Sequence, residues 1–288
     1  MMNGDVMDIV VRKARQEDRE RAIWVESKST PSLSYVGAVW DLFTSDEVGE
    51  FSVAEADGEV VACGKFTVLP DGSAWLETLR VIPEYQGLGI GKRFYERFYE
   101  LARSRGVPAM RMYTGLRNAV SRGLAELYGL RFAARYRGAS LPCVQGKIPP
   151  SEGGFLLVTD PERATALLMP FRERWTGFLV MNRTFFSITP TLCRHLAEKE
   201  MVYEDPASGS VVTVGARFLP ERALNIGVFG GDVDQCLGFA LEQGVERGAA
   251  RLNCDFSALD IEVQAALVEK GFSLTESDFI VMEVHLNE

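Results

Sequence analysis

The residues best suited to chemistry are three glycines, Gly87, Gly89 and Gly91, in the stretch E-T-L-R-V-I-P-E-Y-Q-G-L-G-I-G-K-R that runs from Glu77 to Arg93. Glycine permits a tight turn and leaves no Cβ between the backbone and a ligand. A loop of this kind before a helix presents unpaired backbone N–H groups and about half a positive charge. This arrangement is typical of sites for phosphate-bearing ligands. A simple strand-to-helix turn is the alternative interpretation of the glycines alone.

The glycines lie between a predicted strand and a predicted helix. Alternating, partly β-branched residues from Leu79 to Ile82 suit a strand, and Pro83 ends it because proline cannot donate to a ladder. After the glycines, apolar residues recur at helical spacing, with charged residues outside that face. The apolar positions are Ile90, Phe94, Phe98, Leu101 and Ala102.

The motif Gln86-x-x-Gly89-x-Gly91, after a strand of the form Glu77-x-Leu79-x-Val81, resembles the acetyl-CoA signature of the GNAT superfamily of N-acetyltransferases. A nucleotide P-loop fits less well, because no Gly-Lys-Ser/Thr ends this loop. A dinucleotide-binding loop follows the first strand of its fold, whereas this one follows several predicted strands. The resemblance covers Ile9 to about Tyr136 clearly and the remainder of the chain faintly.

The resemblance implies acetyl-CoA as a co-substrate and assigns its contacts. The fourth strand would offer the backbone of Leu79, Arg80 and Val81 to the pantetheine arm. Asn118 matches an asparagine that often contacts CoA, although asparagine also suits a helix N-cap. The loop and the first turn of the helix would hold the pyrophosphate, and these positions are Gln86, Gly87, Leu88, Gly89, Ile90, Gly91, Lys92 and Arg93.

Glu77 occupies the strand position at which many GNAT enzymes carry a carboxylate base, which acts directly or through water. A strand carboxylate that faces solvent or a cation is the alternative. The tyrosine that usually serves as the general acid is absent, because Ala125 stands at its position. Tyr128 lies three residues further along the same predicted helix and could substitute for it, or could pack.

In GNAT proteins the first two helices form one wall of the acceptor pocket. Here the corresponding segment contributes Glu26, Tyr35 and Trp40 as candidate substrate contacts. Ordinary surface and core packing is the alternative for all three.

The predicted elements follow the order β-α-α-β-β-β-α-β-α-β. This is the order of the GNAT fold, an α/β fold with a mixed, mostly antiparallel central sheet. A hairpin is expected at Asp57-Gly58, which is a typical two-residue turn.

The second half of the chain repeats the first at a shift of 142 residues. Arg105-Gly106 maps onto Arg247-Gly248, and Tyr128-Gly129 maps onto Lys270-Gly271. We therefore expect two GNAT-like lobes in tandem: a catalytic domain at 8–145, a linker at 146–154, and a degenerate domain at 155–288. The same shift aligns the glycine loop with Val228–Asp234. Two bulky residues and two aspartates there predict that the second lobe does not bind CoA.

Composition narrows the class of function. The net charge of −9 argues against a nucleic-acid binder, whereas Arg80 to Arg137 carries a net charge of +8, which suits a ligand with several phosphates. No apolar run reaches the roughly 18 residues of a membrane span, and no signal-peptide pattern is visible. Five scattered cysteines and two histidines argue against a metal site and favour a cytoplasmic protein.

The sequence predicts an N-acetyltransferase that moves an acetyl group from acetyl-CoA to a primary amine. A small molecule such as a free amino acid is the expected acceptor, with no nucleic-acid or membrane partner. The second lobe would cover the acceptor pocket or mediate homodimerisation. A non-catalytic CoA-binding sensor or scaffold and a protein-lysine acetyltransferase are the alternatives.

Overall fold

The computed structural model describes residues 8–31, 33–146 and 151–286. Contacts divide the chain into two compact units that are not contiguous in sequence. The first unit comprises the chain up to Met112, Val120–Arg131 and the residues from Glu283, and the second comprises Tyr113–Ala119 and Phe132–Met282. Within the described ranges, no helix combines the length and the apolar character needed to cross a lipid bilayer.

The first unit contains five neighbouring strands of a larger sheet. Its strands, in order across the sheet, are β1 (Ile9–Lys13), β2 (Glu50–Ala56), β3 (Glu59–Val68), β4 (Ala74–Val81) and β5 (Ala109–Gly115), and the last three residues of β5 fall in the second unit. Pairing is antiparallel as far as β4 and parallel between β4 and β5. The helices are α1 (Arg19–Ser29), α2 (Val36–Thr44), α3 (Ile90–Arg105) and α4 (Ala119–Leu127). With β6 (Arg131–Pro142) as the next strand, the predicted order of elements is confirmed.

Glycines allow the close approaches that this sheet requires. Asp57 and Gly58 both have positive φ in the β2–β3 turn, as the Asp-Gly pair predicts. On β3, a Cβ at Gly64 would lie 2.9 Å from the ring of Phe94 on α3. The helix therefore packs directly on the backbone of the sheet, and Phe94 and Phe98 are fully buried there.

A buried ion pair attaches β3 to the end of α2. The ammonium of Lys65 lies 2.6 Å from Asp46 Oδ2 and 3.2 Å from the carbonyl oxygen of Phe43, and the Lys65 side chain is 1% exposed. Burial alone would raise the pKa of Asp46, but the hydrogen bond and charge of Lys65, with N–H groups of Gly49 and Val48, lower it below its usual value.

The second unit contains a longer run of sheet strands and a separate hairpin. Its strands are β6, β7 (Leu156–Leu157), β8 (Phe178–Met181), β9 (Thr184–Ser187), β10 (Val202–Asp205), β11 (Ser210–Gly215), β12 (Leu224–Gly230), β13 (Arg251–Ser257), β14 (Ser273–Leu274) and β15 (Phe279–His285), and the last three residues of β15 fall in the first unit. The strand order is β15-β6-β13-β12-β11-β10-β7, while β14 pairs with β6, and β8 and β9 form their own sheet. The helices are α5 (Pro161–Leu168), α6 (Pro190–Glu198), α7 (Val233–Glu246) and α8 (Ile261–Glu269).

The segment α7-β13-α8 repeats α3-β5-α4. The helix ends correspond, because Gly106 and Gly248 follow the first helices with φ of 64° and 67°, and Gly129 and Gly271 follow the second helices with φ of 84°. The tandem arrangement predicted from the 142-residue shift is therefore present as a repeated order of elements.

The contact-defined units differ from the predicted segments 8–145 and 155–288. Strand β6 lies in the first segment, yet it joins the second unit because it pairs with β13 along seven positions. The residues from Glu283 join the first unit, where Leu286 N donates to Pro108 O at 2.8 Å. Within the predicted linker 146–154, residues 147–150 lie outside the described residues, and Ser151 and Gly153 are hydrogen-bonded to Gln235.

Replacement of Asp46 should show how much the buried pair contributes. Asp46→Asn removes the charge opposite Lys65 but keeps a carbonyl oxygen for the N–H groups of Val48 and Gly49. We expect the free energy of unfolding at pH 7 to fall by about 3 kcal/mol, because a buried charge loses its partner. Urea denaturation measures this difference.

The loss should depend on pH. Because the folded-state pKa of Asp46 is lowered, its charge stabilises the fold above the unfolded pKa of about 4 and ceases to do so as the pH falls through the folded value. The difference between variant and parent should therefore shrink below about pH 4. The exposed control Asp41→Asn should change stability by less than about 0.5 kcal/mol. A difference that stays constant down to about pH 2 would contradict the assignment.

Candidate active site

Strand β4 does not alternate regularly. In the β3–β4 ladder Glu77 pairs with Lys65, and Arg80 pairs with Cys63, so two residues of β4 oppose one residue of β3 between these pairs. The bulge includes Thr78, whose φ of 59° is unusual for a β-branched residue. Cys63 and Lys65 share a face of β3, because they are two residues apart. Their partners Glu77 and Arg80 therefore share a face as well.

This shared face is the one that carries α1 and α2, since the Lys65 ammonium on it reaches Phe43 and Asp46 at the end of α2. Glu77, the predicted base, is half-buried there, and one of its carboxylate oxygens accepts a hydrogen bond from Thr67 Oγ1 at 2.7 Å. The Thr67 hydroxyl thus fixes the orientation of the Glu77 carboxylate.

Glu26 and Tyr35, two of the predicted substrate contacts, meet at the start of α2. Glu26 is 1% exposed, and its Oε2 accepts hydrogen bonds from Tyr35 N at 3.1 Å and Val36 N at 3.0 Å. The Tyr35 hydroxyl lies 2.7 Å from Thr78 Oγ1 on the bulge. The first helices and β4 are therefore joined at the residues that the sequence singles out.

Arg80 has a side-chain position that sequence reasoning missed. The resemblance assigned only its backbone, but its guanidinium is hydrogen-bonded to the hydroxyl of Thr30 and lies 5.8 Å from the centre of the Tyr35 ring. Thr30 and Thr78 were not predicted either. Regular alternation would have placed Glu77 and Arg80 on opposite faces, and no periodic pattern signals a bulge.

Trp40 is not brought together with these residues. It is 1% exposed, its ring packs edge-on against Phe51 at 5.5 Å, and its indole N–H donates to Gln16 at 2.9 Å. Its contacts are those of a core residue with a satisfied polar atom.

The glycine loop has the conformation that its composition predicts. After a 3-10 turn at Pro83–Tyr85, Gly87 and Gly89 adopt φ of 80° and 82°, and a Cβ at either position would meet nothing within 4 Å. Gly89 is the N-cap of α3 and forms no side-chain cap. Gly91 is required for packing instead, because a Cβ there would lie 2.8 Å from Leu124.

The charge at this helix start is positive. Lys92 and Arg93 are exposed in the first turn of α3, which contains no acidic residue. Gln86 is also exposed, and its side-chain amide donates to the Val81 carbonyl at 3.0 Å, which ties the loop to the end of β4. Leu88 and Ile90 belong to the same loop and first turn, the former exposed and the latter buried.

Within the described residues, the parallel pairing between β4 and β5 lies before the bulge. Ala74 pairs with Met110 and Trp75 pairs with Arg111, at the start of β4. Leu79, Arg80 and Val81 lie beyond this paired part and are half-buried. Their backbone edge is therefore placed for contacts with an extended ligand, as the resemblance implies.

Asn118 and Tyr128 flank α4. Asn118 is exposed and directly precedes the helix. The Tyr128 hydroxyl donates to the Lys92 carbonyl at 2.9 Å and its ring stacks on Tyr95 at 4.9 Å. Burial and the carboxylate of Glu96 raise the pKa of Tyr128. Ala125, at the usual tyrosine position, is fully buried.

Tyr128 also lines a groove of about 490 Å³ along the outer side of α3, together with Glu96, Tyr99, Glu100 and Arg103. This groove lies away from the face of β4 that carries Glu77 and Arg80. Tyr128 is thus placed to hold α4 against α3.

The corresponding helix start in the second unit is closed. Asp232 caps α7 by accepting from Gln235 N at 3.1 Å, and Asp234 pairs with Lys270 at 2.9 Å. Residues 82–89 connect β4 to α3, whereas residues 231–232 alone connect β12 to α7. The alignment of Val228 and Phe229 with the glycine loop is therefore wrong, because both residues lie within β12.

Side chains fill the space beside the end of β12. A Cβ at Gly230 would lie 2.1 Å from the ring of Phe171, and the ring of Trp175 packs on Phe229 at 5.2 Å. Among the described residues of the whole chain, no three His, Cys, Asp or Glu side chains form a group that could hold a metal ion.

Comparison with known proteins agrees with this architecture. Residues 9–130 match the model of the acetyltransferase (GNAT) family. No curated protein sequence matches the chain.

Solved structures share the fold over nearly the full length. A putative acetyltransferase from Pyrococcus horikoshii has a TM-score of 0.63 at 16% identity, with 97% of this chain and 90% of that chain covered. A GCN5-related N-acetyltransferase from Sphaerobacter thermophilus has a TM-score of 0.62 at 14% identity, with coverages of 96% and 95%. A tandem GNAT protein from the clavulanic acid biosynthesis pathway has a TM-score of 0.60 at 16% identity, with coverages of 97% and 98%.

The family match covers the unit with the open glycine loop, the positive helix start and the bulged fourth strand, and the structural matches extend across both halves. Residues 9–130 therefore match the acetyltransferase (GNAT) family, and the chain shares the tandem GNAT fold along nearly its full length.

Proposed function

We propose that the chain transfers an acetyl group from acetyl-CoA to the primary amine of a small molecule. The observation that supports the proposal is the geometry of β4. Glu77 pairs with Lys65 and therefore lies on the face that carries α1 and α2, the bulge turns Arg80 to the same face, and the strand leads into the glycine loop.

The first unit fits CoA at the glycine loop. Open space at Gly87 and Gly89 lets a phosphate approach the backbone, and the start of α3 adds its partial positive charge to Lys92 and Arg93. The backbone of Leu79, Arg80 and Val81 would hold the pantetheine arm along the edge of β4 beyond its pairs with β5. The loop from Gln86 to Arg93 would hold the pyrophosphate.

Bound acetyl-CoA supplies an acetyl group that is activated as a thioester. Glu77 would accept the proton of the amine, directly or through water, with its carboxylate oriented by Thr67. Deprotonating an amine of pKa about 8 at pH 7 costs about 1 kcal/mol, whereas an amine of pKa about 10.4 costs about 4.6 kcal/mol. A single half-buried carboxylate is better matched to the first kind, which favours an α-amine.

Turnover and the role of Glu77 can be tested together. We expect thiol release from acetyl-CoA with at least one class in a panel of free amino acids, polyamines, aminoglycosides and a lysine peptide. Glu77→Gln should lower kcat by about 10²-fold at pH 7, and by less at pH 9, where more of the amine is already neutral. The exposed control Glu47→Gln should leave kcat unchanged.

No turnover with any amine, combined with thermal stabilisation by CoA, would contradict an enzymatic role and support a CoA sensor. Turnover with the lysine peptide alone would instead indicate a protein-lysine acetyltransferase.

Equilibrium dialysis should find one CoA per chain. The start of α7 is capped by Asp232 and carries Asp234, so phosphates would be repelled there. Lys92→Glu should weaken CoA binding by about tenfold, because it reverses a charge in the first turn of α3. The reverse change at the equivalent helix, Asp234→Lys, should leave affinity unchanged. Two CoA per chain would refute the assignment of binding to the first unit.

Tyr128→Phe should separate packing from acid catalysis. The structure gives the hydroxyl a hydrogen bond to Lys92 O, so its removal should cost about 1 kcal/mol of unfolding free energy and change kcat by less than about twofold. Chemical denaturation measures the change in the free energy of unfolding, and steady-state kinetics measure the change in kcat. A loss of about 10²-fold in kcat would instead identify Tyr128 as the general acid.

A further inference from the structure

Two polar atoms between α1 and β4 are buried without a hydrogen-bond partner. One is Glu26 Oε1, the carboxylate oxygen that does not cap α2. The other is Arg80 Nε, in the guanidinium that is held by Thr30. Buried polar atoms in folded proteins are nearly always paired, so an unpaired acceptor and an unpaired donor in one region indicate a polar binding site.

Tyr35 contacts both side chains, which do not satisfy each other. Its N–H donates to Glu26 Oε2 at 3.1 Å, and its ring centre lies 5.8 Å from the guanidinium carbon of Arg80. Neither forms an ion pair within 4.0 Å in the described part of the chain. A guanidinium and a carboxylate of opposite charge are thus held apart, each by its own contacts with the wall formed by Thr30, Tyr35 and Val36.

The guanidinium belongs to the acceptor side of β4. Arg80 shares a face with Glu77 because of the bulge, and the Tyr35 ring lies 5.8 Å from its guanidinium carbon. The cations beside the phosphate loop are Lys92 and Arg93. Arg80 is therefore available to an acceptor molecule rather than to the phosphates.

The charges of this wall indicate the chemistry of a ligand that could bind there. An Arg80 N–H requires an anionic or carbonyl acceptor, and Glu26 Oε1 requires a donor such as an amine or a hydroxyl. Arg80 shares this region with two carboxylates, Glu26 and Glu77, so the region carries no net positive charge. That balance disfavours a dianionic phosphate, whereas a ligand with one acid and one amine offers partners to groups of both signs.

We propose that the acceptor is a carboxylate-bearing amine of the amino-acid class, in which Arg80 binds the carboxylate and Glu26 binds an N–H or O–H donor of the same molecule. The inference rests on the proposed function, since it names the acceptor of that reaction. Arg80 and Glu26 determine specificity, while the proton is taken up at Glu77.

The test compares each amino acid in a panel with its own carboxamide and its decarboxylated amine. In thiol-release kinetics the parent protein should prefer the acid over the amide by at least about tenfold in kcat/KM, as expected for a charge-assisted hydrogen bond. Arg80→Gln should lower kcat/KM for the acid by about 10- to 100-fold, mainly through KM, and leave the amide within about threefold, so that the preference collapses.

Two further variants distinguish recognition from damage to the fold. Arg80→Lys keeps a positive charge and should restore part of the preference. Glu26→Gln keeps an oxygen for the N–H groups of Tyr35 and Val36, and should raise KM for acid and amide alike, because the donor is common to both. The exposed control Arg15→Gln, whose side chain pairs with Glu17 at 3.7 Å, should match the parent.

Equal kcat/KM of the parent protein for acid and amide would overturn the proposal, as would an equal loss for both in Arg80→Gln. If no amine is acetylated, the proposed function fails, and calorimetry with CoA present decides this inference separately. Binding of an amino acid by the parent, at least tenfold tighter than its amide and lost in Arg80→Gln, would support a carboxylate site. Equal or absent binding of the two would reject it.

Discussion

The bulge in β4 is the constraint on which the candidate site depends. A β-branched residue at positive φ costs about 1–3 kcal/mol, and such strain persists only where the surroundings determine it. At Thr78 the surroundings are the Tyr35 hydroxyl at 2.7 Å and the Cys63 thiol, which approaches the Thr78 carbonyl at 3.8 Å. The extra residue reverses the alternation of the strand, so that Glu77 and Arg80 face the same helices. The strained backbone at Thr78 is therefore part of what brings Glu77 and Arg80 to one face.

The helices that complete the site are held by buried charges. Glu26 caps the start of α2, and the Lys65–Asp46 pair attaches the residues just after its end to β3. Each contact replaces water around a charged group with fixed partners, which is favourable only while the geometry is kept. Helix α2, which forms part of the wall of the proposed acceptor pocket, is therefore fixed at both of its ends. The contact of Glu26 with the N–H group of Tyr35 also positions the Tyr35 side chain.

The order of elements, the glycine loop and the tandem arrangement could be predicted, because they depend on periodicity and on glycines with local roles. The placement of the Arg80 side chain could not be predicted. The bulge turns Arg80 to the same face of β4 as Glu77, and the sequence pattern of the strand gives no sign of a bulge. The alignment of Val228 with the glycine loop failed for another reason. The 142-residue shift holds from the end of α3 onward, whereas the connection before the helix shortens from residues 82–89 to residues 231–232. Trp40 shows that an aromatic residue in a wall segment can serve the core instead.

The two helix starts differ in the connection that precedes them. Both α3 and α7 follow a strand of their sheet, and both therefore bear the partial positive charge of a helix N-terminus. At α3 that charge is supplemented by Lys92 and Arg93 and left accessible by glycines with open space around them. At α7 the helix N-terminus is instead satisfied within the protein. Asp232 accepts a hydrogen bond from an N–H group of the first turn, and Asp234 forms an ion pair with Lys270. The connection at residues 231–232 also offers fewer backbone N–H groups than residues 82–89, so the short connection and the acidic cap each disfavour an anionic ligand at α7.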